Sequence, residues 1–284
     1  MTLLAYGAIY LIWGSTYLAI RVAVGAIPPL LLMGVRCSAA GLLLLAWAAA
    51  RREHATPGHW RHAAVAGALM IAGTYGCLAW AEQHLASSIA ALLSATTPLW
   101  LTTMQWPEAG RPGAKTVVGL LLGLVGVALL VGGGAAGQVN PTAAAVLIAG
   151  TLTWAAGSLY ARPPRLPQSV TLGAGMPLAL GGLMLLAVSL GTSELARYDV
   201  RSVSSASLWA LAYLIVFGSV VAFSAYSWLL RVAPPSRVGT HAYVNPLVAV
   251  ALGWGVAGEP MTATTCVAAA VIAASVAMVL KGAH

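Results

Sequence analysis

The chain has 284 residues, 60% of them hydrophobic and only 7% charged, with a formal net charge of +8 and a mean hydropathy of +0.88. That composition excludes one large soluble domain or two small ones and leaves a polytopic membrane protein. The basic balance does not point to nucleic acid, because the arginines sit scattered at the ends of apolar runs and form no stripe.

Charged, Gly and Pro clusters divide the chain into ten apolar segments, at 3–24, 28–50, 61–82, 87–106, 113–132, 141–161, 170–190, 207–230, 236–257 and 262–281. Each is about 20 residues, the length of one membrane crossing, and the connections are too short for a soluble domain. The first segment lacks a basic n-region and is long enough to span, so no cleavable signal is expected. The Gly-rich run 132–137, before Asn140 and Pro141, predicts a boundary between two five-helix halves, 1–135 and 141–284. Cys37, Cys77 and Cys266 lie inside apolar segments without C-x-x-C spacing and read as small hydrophobes.

Basic residues orient the spans. With the N-terminus inside, Arg51, Arg52, Arg61, Arg111, Lys115, Arg162, Arg165, Arg231, Arg237 and Lys281 fall on the cytoplasmic side, against Arg21, Arg197 and Arg201 outside. This positive-inside bias predicts cytoplasmic N- and C-termini in a cell (inner) membrane.

The ninth segment, from Ser236 to Pro260, is apolar with Pro246 at its middle, and Ser88 to Pro112 repeats it. An offset of 148 pairs Trp80 with Trp228, Ser88 with Ser236, Pro98 with Pro246, Leu99 with Leu247, Trp106 with Trp254, Gly110 with Gly258, Pro112 with Pro260 and Thr116 with Thr264. An offset of 141 pairs Trp13 with Trp154 and Arg21 with Arg162. The chain thus carries an internal repeat. Five spans per half is odd, so the halves cross in opposite senses, and the charge bias inverts accordingly: Arg111 falls inside, its mate Glu259 outside. The predicted fold is all-α, ten transmembrane helices as two inverted five-helix repeats, with a site between the halves near the midplane. Pro98 and Pro246 are expected to break their helices there and free backbone carbonyls.

I-W-G-S-T-Y at 12–17, A-E-Q at 81–83, A-T-T-P-L-W at 95–100 and N-P-L-V-A-V through G-E-P at 245–260 together resemble the EamA family of the drug/metabolite transporter superfamily. The resemblance covers essentially the whole chain. It implies a ten-helix inverted-repeat exporter of amino acids, metabolites or drugs.

The substrate-binding candidates are Trp13, Tyr17, Tyr75, Thr97, Trp100, Trp154, His241 and Asn245, with Tyr226 and Tyr243 as further aromatics. Trp13 and Trp154 lie deep in their segments, unlike belt tryptophans such as Trp60, Trp106, Trp209 and Trp254 at segment ends. His241 and Asn245 are four apart on one helix face, where they either meet a ligand or hydrogen-bond across a helix interface. Arg36 lies about eight residues inside the second segment. An intramembrane arginine is a functional candidate, including for coupling, unless it snorkels or caps carbonyls. Glu82 and His84, at the outer end of the third segment, form either a proton relay or a solvated helix end.

Gly253, Gly255 and Gly258 match G-x-G-x-x-G but follow no strand, which argues against dinucleotide binding. Gly119, Gly123 and Gly126 read as a packing face. His54, His59 and His62 form an interfacial cluster or a metal site, the former preferred. No metal or cofactor is expected. Without G-x-S-x-G, H-E-x-x-H or paired intramembrane carboxylates, an enzyme reading finds no machinery. The sequence points to an alternating-access transporter of small amphipathic or zwitterionic solutes in the lipid bilayer. A lipid-linked-sugar flippase and a non-transporting intramembrane enzyme or sensor are the alternatives.

Overall fold

Proline and small polar residues open many of the helices. Thr56 and His59 form a reciprocal capping box before Pro57. Asn140 Oδ1 accepts from the Thr142 and Ala143 amides (3.0 and 3.1 Å) before Pro141, and Ser169 and Ser204 cap in the same way. Each cap satisfies amide donors that the first turn leaves orphaned. The computed structural model describes residues 1–109, 113–132, 139–161, 164–192, 194–195, 198–233, 238 and 241–282. Arg111, Arg162, Arg197 and Arg237 lie outside the described residues, as do the side chains of Trp106, Tyr243 and Lys281.

Among the described residues every regular element is helical. The helices are α1 (Thr2–Ala23), α2 (Pro29–Ala50), α3 (Pro57–Ala81), α4 (Ser87–Ser94), α5 (Thr97–Ala109), α6 (Ala114–Gly132), α7 (Pro141–Tyr160), α8 (Val170–Gly191), α9 (Ser205–Leu229), α10 (His241–Ala257) and α11 (Ala263–Gly282). Six of them, α1, α2, α3, α7, α8 and α9, are long and apolar enough to cross a membrane, and shorter apolar stretches run Ala114–Gly126, Val244–Ala257 and Ala263–Ser275.

Glycines set the closest helix contacts. A Cβ on Gly41 would collide with the backbone of Ala179, and one on Gly182 with Ser38, so α2 and α8 lie backbone to backbone. Gly123 and Gly126 of α6 face Ser275 and Ile272 of α11, and Ser275 Oγ donates to the Gly119 carbonyl at 2.6 Å. Large apolar side chains such as Leu42, Trp47, Leu121, Leu190 and Trp209 point outward and are more than half exposed, as expected of a surface solvated by lipid.

The two mated prolines behave differently. The fourth apolar segment is two helices parted at Ala95 and Thr96. The Ser94 carbonyl, one turn before Pro98, accepts from Thr97 Oγ1 (2.8 Å), and the Leu93 carbonyl accepts from Thr96 Oγ1 (2.7 Å). No interruption occurs at Pro246, because α10 runs through it. The second half instead departs from α-geometry in α9, where Leu214–Val221 form a π turn. That turn nearly matches, at the repeat offset, the π turn Gly67–Gly73 of α3.

Candidate functional site

A third π turn, Ala8–Ile12, widens α1 just ahead of Trp13. Such turns shift carbonyls off the normal ladder and recur at functional sites. With its carboxamide nitrogen facing α1, Asn245 donates to the Ile9, Tyr10 and His241 carbonyls, each at 3.1 Å. This is the interface-bonding alternative for Asn245: its amide donors are spent on backbone. Gly14 lets α10 approach, since a Cβ there would fall 2.6 Å from Val248 Cβ. Trp13 Nε1 donates at 3.0 Å to the Gly218 carbonyl, which belongs to the π turn of α9.

These contacts hold Trp13 against rings from three other helices. Its ring centroid lies 5.0 Å from Tyr226, 5.5 Å from His241 and 6.0 Å from Trp154, the last edge to face. Trp154 stacks on Tyr75 at 5.9 Å and meets Phe223 edge on at 6.3 Å. Trp13, Tyr75, Trp154, Phe223 and Tyr226 are all buried. Edge-to-face and offset contacts at these separations are the favoured aromatic geometries. His241 Nδ1 donates to the Val238 carbonyl (2.7 Å), which leaves Nε2 as an acceptor.

Arg36 extends the cluster. Its guanidinium carbon lies 4.8 Å from the Tyr75 ring centre, within cation–π range. Nε donates to Ser219 Oγ (2.9 Å) and Nη1 to Met33 Sδ (3.6 Å). The side chain is 2% exposed, so it neither snorkels outward nor meets water.

Other candidates stand apart. Trp100 donates to Thr151 Oγ1 (2.9 Å), in a hydroxyl cluster shared with Thr96. Thr97 closes its own broken turn, and the Tyr17 hydroxyl bonds the Ser94 side chain. The histidines of 54–62 diverge: His59 caps Thr56 and His62 bonds the Tyr160 hydroxyl (2.8 Å). Among the described residues no group of three His, Cys, Asp or Glu could hold a metal.

The Glu82 and His84 side chains part company. His84 is exposed, packed on Trp80 at 4.7 Å with Nδ1 toward the Trp80 carbonyl. Glu82 is fully buried, and neither carboxyl oxygen has a hydrogen-bond partner among the described residues. The Arg21 guanidinium bonds the Glu82 carbonyl instead. Charges felt at the carboxyl come from Arg21, Glu259 and Arg36. Glu259, in the turn after α10, takes the start of α4: Oε1 accepts from Ser87 N (2.8 Å) and Ser87 Oγ (2.7 Å), and Oε2 from Ser88 N (3.1 Å). Partial burial pushes the Glu259 carboxyl up, but the hydrogen bonds from Ser87 and Ser88 together outweigh it and hold the group below the ordinary range. Gly258, at φ +65°, supplies the left-handed turn that aims it.

Phe223 is the one ring of the cluster absent from the sequence candidates. The offset of 148 that pairs Trp80 with Trp228 also pairs Tyr75 with Phe223. The cluster is therefore built from two symmetry pairs, Trp13 with Trp154 and Tyr75 with Phe223, completed by Tyr226, His241 and Arg36, which fall on residues of another type at the repeat offsets.

A solved crystal structure of another protein shares this fold at a TM-score of 0.68, with 21% identity, over 98% of this chain and 96% of that one. The inner membrane transporter YedA of Escherichia coli K12, itself uncharacterised, is 36% identical over 277 residues, 97% of this chain and 89% of that protein. The uncharacterised transporter YvbV of Bacillus subtilis is 21% identical over 98% of this chain and 91% of its own length. Protein PecM of Dickeya dadantii is 26% identical over 86% and 80% respectively. The EamA-like transporter family profile matches twice, at residues 2–132 and 141–281, and the chain belongs to that family.

Proposed function

We propose that the chain is a ten-span secondary transporter of two inverted five-helix repeats, 1–135 and 141–284, with both termini cytoplasmic. It exports small amphipathic or zwitterionic organic solutes by alternating access around the aromatic cluster. The observation that carries this reading is the contact of Trp13 with Trp154, one from each repeat and 141 positions apart. A site at the seam of two inverted repeats is reached from either side when the halves rock. The rings now pack on each other, so they must part to admit a solute.

Coupling, in this reading, runs through Glu82 without His84. A buried carboxyl with no partner is costly to ionise, and a group that gains a proton when closed and loses it when wetted can tie proton movement to rocking. Counterflow in proteoliposomes tests the whole reading. Internal unlabelled solute should accelerate uptake of the labelled one, and an enzyme or sensor would show no such exchange.

A further inference from the structure

We infer that the site takes an aromatic monocarboxylate, its carboxylate on the Arg36 guanidinium and its ring among Tyr75, Trp154 and Trp13. The inference rests on the transporter reading and names the substrate class of that site.

Arg36 is buried and permanently charged. Of its five N–H donors, one meets a neutral hydroxyl, Ser219 Oγ, and one a weakly accepting sulfur, Met33 Sδ. Nη2 donates to nothing among the described residues. Helix α9 approaches closely enough at Gly218 that a Cβ there would lie 3.1 Å from Nη2. Among the described residues no carboxylate neutralises the charge by contact. Glu82 contributes only at a distance, since both of its carboxyl oxygens are without hydrogen bonds.

An arginine inside a membrane protein ordinarily pairs with an acid or lines a substrate path. Its planar fork matches one carboxylate through two parallel charge-assisted bonds. Behind the guanidinium stand Tyr75, then Trp154 stacked on it, then Trp13. A planar ring attached a few bonds from a carboxylate would find π-faces where the carboxylate finds its donors. A single buried cation suits one negative charge; a polyanion would leave charge uncompensated. A cationic amine would sit against the guanidinium and be repelled. An ammonium group is not needed for recognition, which narrows the zwitterionic class to its anionic end.

The test is calorimetric binding to the purified full-length chain, using 3-phenylpropanoate, 3-phenylpropanamide and 3-phenylpropylamine, which share a skeleton and differ in charge. The expected order is propanoate tightest, by about tenfold over the amide, with the amine weakest. Arg36→Gln should bring the propanoate-to-amide ratio close to one while amide affinity persists, and Arg36→Lys should retain part of the preference. Equal binding of the three, an amine preference, no binding of any, or a preference that survives Arg36→Gln would each overturn the inference. The ranking on the unsubstituted protein decides it even if the variants do not fold. Counterflow of other solutes without anion preference would remove this inference and leave the carrier reading intact. Arg36-dependent anion binding without counterflow would do the reverse.

Discussion

Glu53 and Glu194 are 141 positions apart and each ties the end of one helix to the start of the other, at opposite ends of one helix pair. Glu194, just past the end of α8, accepts from the Leu30 and Leu31 amides (3.4 and 3.1 Å) at the start of α2, supported by Ser189 Oγ (2.9 Å). Glu53, just past the end of α2, accepts from the Ser169 and Thr171 hydroxyls at the start of α8. A carboxylate at a helix N-terminus meets orphan amides and the positive end of the dipole. The antiparallel α2–α8 pair is thus tied at both ends, each half gripping the other. The two ties form a frame around the α2–α8 contact between the halves.

The frame should be acid-sensitive at its Glu53 end. Hydrogen bonds from Ser169 and then Thr171 hold the Glu53 carboxyl below the ordinary range. A carboxylate lowered on folding contributes stability that is fully present above its unfolded pKa of about 4.3 and is lost as pH falls through the folded value. Glu53→Gln should therefore lower the melting temperature by about 1–2 °C at pH 7, on about 0.5–1 kcal/mol for charge-assisted bonds to a partly exposed carboxylate screened by solvent. The gap to the unsubstituted protein should close as the pH is lowered below 4. A gap that stays constant with pH would mean the carboxylate charge contributes nothing.

How much of this could be read from the sequence depends on which interactions leave a trace in residue identity. Trp13 and Trp154 were legible because they are identical at one offset and deep in their segments. Tyr75 and Phe223 keep the ring but change the letter, so a search for identities passes over Phe223. The glutamate ties were invisible because a charge in a short loop reads as solvated; only their shared offset of 141 betrays them. Nor do the π turns of α1, α3 and α9 have a compositional signature, and the one in α1 carries two of the carbonyls that Asn245 meets. Pro246 shows the converse, because a proline marks a weak point in a helix without dictating that it opens.

Coupling is separable from exchange. Glu82→Gln should abolish uptake driven by a pH gradient and leave exchange at equal pH intact, because an amide of the same shape fills the pocket but binds no proton. His84→Ala should change neither, given that its ring is exposed and bonded to the Trp80 carbonyl. Gradient-driven uptake surviving in Glu82→Gln would remove proton coupling at this position and leave facilitated diffusion.

Orientation is tested by single cysteines in a background lacking Cys37, Cys77 and Cys266. Arg51→Cys and Arg165→Cys should react with an impermeant maleimide only after the cytoplasmic face is opened. Asp199→Cys should react in intact cells. The reverse pattern would invert the assignment drawn from the basic residues.

The two tryptophans of the seam should not be equivalent. Trp154 meets its neighbours through ring contacts to Trp13, Tyr75, Phe223 and Tyr226, so Trp154→Phe keeps a π-face and should weaken solute affinity less than twofold. Trp13 also donates to the Gly218 carbonyl in the π turn of α9. Trp13→Phe removes that buried hydrogen bond, worth about 0.5–1.5 kcal/mol, and should lower the melting temperature as well as the affinity. An aromatic platform contributes about 0.5–2 kcal/mol to holding an apolar or charged group, so Trp154→Ala should raise the dissociation constant several-fold with expression near normal. Binding calorimetry and thermal unfolding on the same preparations separate the two effects. If Trp154→Ala instead unfolds the protein, or leaves binding unchanged in a stable one, the rings are packing and the solute site lies elsewhere.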